Sequence, residues 1–383
     1  MVVAGEASGD QHAADVVRAI AAREPDTKFF GMGGPKLAAA GVELIHGAHE
    51  ISVMGIVEVL PKVPRIWKVL GDLEKAARER KPDVALLIDV PDFNLRLAKR
   101  LKPLGIRVIY FVAPMAWAWR ESRTKIIADR VAHLACILPF EEKFFRDRGV
   151  NATYVGNPTV DQVPPIAEPA HFRKALGLAL DGPVLAVLPG SRRSEISRLG
   201  GVLAAVSARV VAARPGTRVV VPVAPGLPKE VVSAPFRAAG VEPVLIDGRA
   251  PEVVGASDVA LVASGTATLE AGLMRRPLVA VYRVNAISYA VGRLLVKIPF
   301  FSLVNLLAEK RVIPELLQAD VTVDRVFSEL EPLWSGPARE ACLQGLDSLR
   351  GKLGPGGAAA RVAELVLNAP AAAPATAPPA TRG

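Results

Sequence analysis

Short, continuous runs of apolar residues alternate along the chain with stretches whose apolar positions recur at helical spacing. The apolar runs of the first half are residues 2–4, 28–31, 84–89, 108–112, 133–138 and 153–155. Those of the second half are residues 184–188, 218–223, 243–246, 259–262 and 278–282. The helical stretches include residues 12–23, 95–104, 199–214, 235–239 and 268–274. Short apolar strands separated by helices are typical of parallel sheets covered on both faces, so the pattern predicts two α/β halves in tandem.

A stretch at residues 158–172, with four prolines and little apolar periodicity, separates the two halves. We therefore expect Rossmann-like domains at residues 1–160 and 161–368. The last helix, at residues 358–367, is long enough to dock on a domain, including the first one. The Ala/Pro segment 369–383 has too few bulky apolar side chains to pack, and we expect it to be disordered.

Composition supports a folded protein in a reducing compartment. The 383 residues suit two domains, and 51% hydrophobic against 22% charged residues excludes a disordered chain. Cys136 and Cys342 lie 206 positions apart (342 − 136), which excludes a disulfide scaffold and a cysteine zinc site. The longest uncharged run before the tail has 12 residues, at 108–119, whereas a membrane span needs about 20. No basic leader precedes the first strand, so we expect a cytoplasmic protein.

The net charge of +9, from 47 basic and 38 acidic residues, suits a polyanionic partner. Nucleic acid, a nucleotide sugar and an anionic membrane surface all fit. Aromatic residues make up only 5% of the chain and are not interleaved with a block of basic residues. This weighs against single-stranded nucleic acid, which binds on aromatic stacking platforms.

A turn rich in small residues follows the first strand of each half. Gly5, Ser8 and Gly9 lie in the sequence GEASGD, where the backbone can approach a ligand and helix N–H groups favour an anion. An ordinary strand–helix turn, with Asp10 as a helix cap, explains these residues as well.

The second turn, PGSRR, adds positive charge to the same arrangement. Gly190, Ser191 and Arg192 can form a diphosphate clamp from a guanidinium group and helix amides. The alternative is a plain turn with surface arginines.

Two further motifs end strands where open α/β sheets bind ligands. Ser264, Gly265 and Thr266 can present hydroxyl and N–H groups to phosphate, and Glu270 can accept from ribose hydroxyls. Alternatively, Thr268 is a helix N-cap and Glu270 complements the helix dipole.

Asp89 ends the apolar run at 84–89, as either a capping group or a general base whose pKa is raised by partial burial. Asp92 and Asn94 are expected to cap the next helix. Trp117 and Trp119 follow the next strand, where they can line an apolar substrate wall or pack under a loop.

An apolar helical stretch at residues 53–73 carries Lys62, Arg65 and Lys68 in a row. This is typical of a membrane-surface helix, although a core-facing helix with a solvated basic side fits equally well. A similar mixture occurs at residues 287–301 with Arg293 and Lys297.

Nine motifs in order resemble the lipid-A-disaccharide synthase family, although each alone is weak to moderate. They are GEASGD, VMGIVEVL, KPDVALLIDVPDFN, VAPMAWAWRESR, ILPFEEKFF, VGNPTVD, LPGSRRSEI, ASGTATLE and SLVNLLAEKRVIPELLQ. The resemblance implies a GT-B fold, with two Rossmann-like domains facing across a cleft. It also implies a metal-independent, cofactor-free, inverting glycosyltransferase with an acceptor- and membrane-binding first domain and a UDP-sugar-binding second domain.

The implied reaction transfers 2,3-diacylglucosamine from its UDP derivative to 2,3-diacylglucosamine 1-phosphate. The products are the β-1′,6-linked disaccharide 1-phosphate and UDP, formed at the cytoplasmic face of the inner membrane, with no nucleic-acid partner. By resemblance, Asp89 is the catalytic base, and Arg192, Glu270 and Asn305 match functionally important positions. Asn157 stands where many members have His, so no role is assigned to it.

Two alternatives remain at this stage. One is another GT-B enzyme acting on UDP-N-acetylglucosamine, either a transferase to a lipid carrier or an epimerase. The other is a non-catalytic protein that binds a nucleotide sugar. An epimerase would lack the membrane-facing helices.

Overall fold

The computed structural model describes residues 1–51, 63–263, 265–285 and 298–369. The chain forms two compact units: Met1–Pro158 with Gly356–Gly383, and Thr159–Pro355. The division falls inside the proline-rich stretch noted above. The expected disorder of the tail concerns residues that, beyond residue 369, lie outside the described ranges.

Unit 1 contains a seven-stranded parallel sheet in the order β3-β2-β1-β4-β5-β6-β7. Ala4 pairs with Ile88, and Ile88 with Phe111, so β1, β4 and β5 end level with one another. The strands are β1 (Val2–Ala4), β2 (Phe30–Gly33), β3 (Glu43–Gly47), β4 (Val84–Ile88), β5 (Arg107–Phe111), β6 (His133–Cys136) and β7 (Ala152–Tyr154).

Unit 2 contains a six-stranded parallel sheet in the order β10-β9-β8-β11-β12-β13. Every residue of its central strands β8 and β11 is buried, as the continuous apolar runs require. The strands are β8 (Val184–Leu188), β9 (Arg218–Val223), β10 (Val244–Asp247), β11 (Val259–Ala263), β12 (Leu278–Tyr282) and β13 (Glu315–Leu317).

Helices follow most strands and cover the sheets. In unit 1 and at its end they are α1 (Ala7–Ala21), α2 (Pro35–Ala39), α3 (Val63–Arg80), α4 (Pro91–Leu101), α5 (Ala116–Trp119), α6 (Arg123–Arg130), α7 (Pro139–Arg146) and α8 (Pro158–Gln162). In unit 2 they are α9 (Pro169–Ala175), α10 (Arg193–Ala213), α11 (Lys229–Ala238), α12 (Ala250–Ala256), α13 (Thr266–Leu273), α14 (Leu303–Ala308), α15 (Val323–Leu330) and α16 (Pro337–Leu353). The last helix is α17 (Ala358–Leu367).

The closing helix α17 packs on α1, and its Val362 and Ala363 are fully buried in the core of unit 1. The Arg361 guanidinium also donates to the carbonyl of Val155 at 2.7 Å. The structure therefore groups this helix with unit 1. The predicted range of the second domain, residues 161–368, had included it.

The predicted parallel α/β architecture is confirmed, and the runs at 2–4, 184–188, 218–223 and 278–282 match strands to the residue. The pattern missed β3 and β13. Both lie at sheet edges, where partial exposure allows polar residues such as Glu43 and Glu315.

One described helix, α10, is long and apolar enough by composition to cross a membrane. It packs against α11 and α15, and its Leu203 and Val206 are fully buried.

Candidate active site

Asp89 follows β4 at the carboxyl edge of the first sheet, and its backbone is held on three sides. Its N–H donates to the carbonyl of Phe111 at 3.1 Å. Its own carbonyl accepts from the Asn94 side-chain amide at 2.8 Å and from the Tyr110 hydroxyl. Asp89 has φ +51° and Val90 φ +42°, a conformation that is rare for non-glycine residues and an outlier for valine. Strain of this kind persists where the surroundings enforce it, often at functional sites.

The Asp89 carboxyl is suited to accept a proton near neutral pH. Burial, and secondly the charge of Glu6, raise its pKa to about 6, while the N–H of Val90 acts in the opposite direction. A general base works best when its pKa is close to the working pH.

The GEASGD turn lies beside this residue. A Cβ atom on Gly5 would come within 2.8 Å of both Ile51 and Val90, so only glycine lets the turn pack there. Gly9 is buried and packs α1 on Ile88, whereas Ser8 is exposed on the first turn of α1.

Asp10 does cap a helix, but the helix is α2 and not its own. Its carboxylate accepts from the N–H groups of Gly34, Lys36 and Leu37 at 2.7, 3.0 and 3.2 Å. This residue therefore ties the turn after β1 to the one after β2.

The expected capping roles of Asp92 and Asn94 are wrong, because the N-cap of α4 is Val90 and no side chain caps the helix there. Asn94 is fully buried and donates to the carbonyls of Ile88 and Asp89. Asp92 pairs with the buried Arg123. Asn94 therefore holds the backbone of the candidate base.

In unit 2 the PGSRR turn precedes α10. Gly190 has φ +114°, which favours glycine, and a Cβ atom there would meet Glu195 at 2.3 Å. Ser191 and Arg192 are exposed, and their N–H groups donate to Oε2 of Glu195 at 2.8 and 3.2 Å. The Arg192 guanidinium lies 3.4 Å from the same carboxylate. The backbone amides that were expected to bind a diphosphate therefore donate to the protein's own Glu195 carboxylate.

The motif after β11 presents Gly265 and Thr266 on the surface, and Gly265 has φ +149°. Ser264 lies outside the described residues. Thr268 is buried and its hydroxyl donates to the carbonyl of Gly265 at 2.8 Å, so it does not serve as the N-cap, which is Gly265.

Glu270, one turn into α13, is half-buried, and burial raises its pKa. Within the described residues its carboxylate makes no hydrogen bond or ion pair. A desolvated carboxylate without a protein donor can accept hydrogen bonds from a ligand.

Asn305 is fully buried and its amide group is fully used. Its Oδ1 accepts from the N–H groups of Val312 and Ile313 at 2.7 and 3.0 Å. Its Nδ2 donates to the carbonyl of Ile313 at 2.9 Å and to Glu315 at 2.8 Å. Asn305 therefore organises its surroundings and has no polar atom left over for a ligand.

Sequence reasoning missed two residues near these motifs. Tyr282, at the end of β12, is 36% exposed and stacks on Phe301 with ring centroids 6.0 Å apart. Its pKa is raised by burial first and then by Glu195, so it lies within reach of the PGSRR turn. Glu141 was missed because one of its partners, the Trp117 indole, lies on another loop. Among the residues that the structure describes, no group of three or more His, Cys, Asp or Glu side chains could hold a metal ion.

Comparison with known proteins gives a consistent result. The family model described as lipid-A-disaccharide synthetase matches residues 1–341. The lipid-A-disaccharide synthase of Myxococcus xanthus is 58% identical, over 96% of each chain. That of Anaeromyxobacter dehalogenans strain 2CP-C is 50% identical, again over 96% of each chain.

Solved structures agree on the fold at low sequence identity. A Staphylococcus aureus MnaA–UDP structure has a TM-score of 0.65 and 13% identity, covering 96% of this chain and 95% of that one. The calicheamicin glycosyltransferase CalG4 has a TM-score of 0.58 and 15% identity, covering 96% of each. These establish the GT-B fold. With the family match and the close relatives, they show that the chain belongs to the lipid-A-disaccharide synthase family of UDP-sugar-dependent glycosyltransferases.

Proposed function

We propose that Asp89 is the general base of the disaccharide-forming reaction. The acceptor is 2,3-diacylglucosamine 1-phosphate, and its 6-hydroxyl oxygen attacks the anomeric carbon of UDP-2,3-diacylglucosamine. The Asp89 carboxylate takes the hydroxyl proton as the new C–O bond forms and the bond to UDP breaks. The observation that carries this assignment is the desolvated Asp89 carboxyl, with a pKa of about 6, at the carboxyl edge of a parallel sheet.

Unit 2 binds the donor in this proposal. Negative charge develops on the leaving diphosphate, and Arg192 can neutralise it because its guanidinium side chain is 45% exposed and only loosely paired. For the Ser191 and Arg192 amides to contribute, the Glu195 carboxylate must give way to the diphosphate. Glu270 accepts from the ribose hydroxyls, and Gly265 and Thr266 supply surface N–H and hydroxyl groups. In this proposal Arg192 supplies the positive charge at the leaving diphosphate, so no metal ion is required there.

We further propose that the protein works at an anionic membrane surface, since both substrates carry acyl chains. In the described part of α3, Trp67 is 48% exposed, and the guanidinium groups of Arg96 and Arg100 lie over its ring at 5.6 and 5.4 Å. Lys68 is exposed beside it. An exposed tryptophan with cationic side chains beside it is suited to the interface between lipid headgroups and acyl chains. Arg65 and Arg100 add less, because they pair with Glu50 and Glu74. Lys62, Arg293 and Lys297 lie outside the described residues.

The direct test is UDP release by the purified protein. Release should require both acylated sugars, and the product should be the tetraacyl disaccharide 1-phosphate. Release of UDP from UDP-N-acetylglucosamine alone, or its epimerisation, would support the alternative GT-B enzymes. Binding of the donor without turnover would support a binding protein.

A further inference from the structure

Glu141 is a buried carboxylate for which the mechanism above has no use. It is 1% exposed, and burial raises its pKa to about 7. Its Oε2 accepts from the N–H groups of Ile137 and Leu138 at 3.2 and 3.0 Å, which caps α7. Its Oε1 accepts from the indole N–H of Trp117 at 3.0 Å. Capping of α7 accounts for Oε2 only. Oε1 accepts from a tryptophan on a different loop, which capping does not explain.

Trp117 lies at the surface and is not fully buried in the core. Its ring meets Phe140 edge to face, with centroids 5.0 Å apart, while the side chain stays half-buried. Met115, two residues earlier in the same turn, is 53% exposed. The start of α5 therefore exposes apolar surface from both side chains.

This surface lies at the same sheet edge as Asp89. β4, β5 and β6 are adjacent parallel strands, so their carboxyl ends face the same way. Asp89 follows β4, the Trp117 turn follows β5, and Glu141 follows β6. The two loops are also joined directly, because Arg123 beyond α5 pairs with Asp92 beyond Asp89.

We propose that Glu141 is a positioning residue for acceptor binding, acting by fixing the Trp117 indole where it contacts the apolar part of the acylated acceptor. This rests on the proposed function, which assigns the acceptor to unit 1. Glu141 itself need not touch the substrate.

Glu141→Gln tests the proposal because an amide cannot satisfy all three donors. If its oxygen caps α7, its NH₂ group faces the indole N–H, and two donors oppose each other. The Trp117 ring then loses its fixed orientation while the volume of the side chain is unchanged. Trp117→Phe removes the indole N–H directly, so the two changes should act on the same step.

The experiment is a double-mutant cycle on Glu141→Gln and Trp117→Phe, with separate KM values for acceptor and donor. Each single variant should raise the acceptor KM, and so lower kcat/KM for the acceptor, by about 10- to 100-fold, the cost of a misplaced contact. The KM for the UDP-sugar should change by less than about twofold, because that site is not involved. In the Trp117→Phe background, Glu141→Gln should cause no further loss. Glu121→Gln, which alters an exposed carboxylate in the neighbouring loop, is the matched control and should resemble wild type.

If Glu141→Gln folds, either of two results would overturn the proposal. One is a lowered Tm for Glu141→Gln with an unchanged acceptor KM, which indicates capping alone. The other is losses that multiply in the double variant, which indicates independent roles. If Glu141→Gln does not fold, an unchanged acceptor KM for Trp117→Phe overturns the proposal by itself. Asp89→Asn in the same assay separates the base assignment from the positioning role of Glu141. Wild-type turnover of Asp89→Asn would remove the base assignment, and the Trp117–Glu141 coupling would still be judged on the acceptor KM.

Discussion

Arg192 is the residue that links the sequence motif of unit 2 most directly to donor chemistry. Its guanidinium is exposed and its bond to Glu195 is long, so a diphosphate can compete for it. The fold does not depend on this side chain, since α10 is already capped through Glu195.

Arg192→Ala should therefore weaken UDP binding while leaving Tm unchanged. The loss of a charge-assisted hydrogen bond to phosphate corresponds to about 1.5–3 kcal/mol of binding free energy. Calorimetric titration with UDP measures it, and Arg193→Ala, which removes the adjacent exposed guanidinium, is the control. Unchanged UDP affinity and turnover would remove Arg192 from the clamp.

At the scale of an element, Asn305 joins α14 to the segment that leads into β13. Its four hydrogen bonds and those of Glu315 to Ser302 form a buried polar network. Removing one member leaves several buried groups without partners, which is more costly than the loss of one bond.

Asn305→Ala should consequently lower the free energy of unfolding of unit 2 by about 2–4 kcal/mol, given several orphaned groups. Loss of activity should follow loss of stability, and UDP affinity should recover at low temperature. Denaturation with and without UDP tests this. A variant with wild-type Tm and abolished UDP binding would instead indicate direct contact with the donor.

The elements themselves were largely predictable, and the contacts between them were not. Strands buried on both faces are continuous apolar runs, so β8, β9 and β12 could be delimited from sequence, and Asp89 stood out because it ends such a run. The partners of Asp10, and the Trp117 indole that donates to Glu141, lie at least 24 positions away along the chain. No local pattern encodes such pairs, since they depend on which strands become neighbours in the sheet.

At the scale of the whole molecule, the effect of the +9 net charge on membrane binding depends on where the basic side chains are exposed. The group formed by Trp67, Lys68, Arg96 and Arg100 combines an apolar ring with cations on unit 1. Each basic residue near anionic lipid adds about 1 kcal/mol of attraction, which salt screens.

The protein should thus bind anionic vesicles more tightly than neutral ones, and less tightly at high salt. Lys68→Gln with Trp67→Ser should weaken binding, whereas Lys143→Gln, at an exposed lysine on α7, should not. Vesicle co-sedimentation measures both. Equal binding to anionic and neutral vesicles would contradict the electrostatic contribution.

As the general base, Asp89 gives the reaction a pH signature. Its folded-state pKa of about 6 exceeds the ordinary value of 3.8, so kcat/KM, which reports the free enzyme, should fall as pH drops through about 6 and the carboxylate is protonated. The same shift means that ionisation costs stability as pH rises from about 4 to about 6. At pH 8 the ionised Asp89 of the wild type carries this full cost in folding free energy, and Asp89→Asn should relieve it, by up to about 3 kcal/mol.

The most direct measurement is kcat, UDP affinity and Tm for Asp89→Asn at pH 8. Asparagine keeps the side-chain shape and tolerates the left-handed backbone at this position, but it cannot take a proton. We predict that kcat falls by about 10²–10⁴-fold, with UDP affinity unchanged and Tm equal to or above that of wild type. Turnover near the wild-type value in a folded, UDP-binding variant would contradict the account and leave Asp89 as a structural residue of the turn.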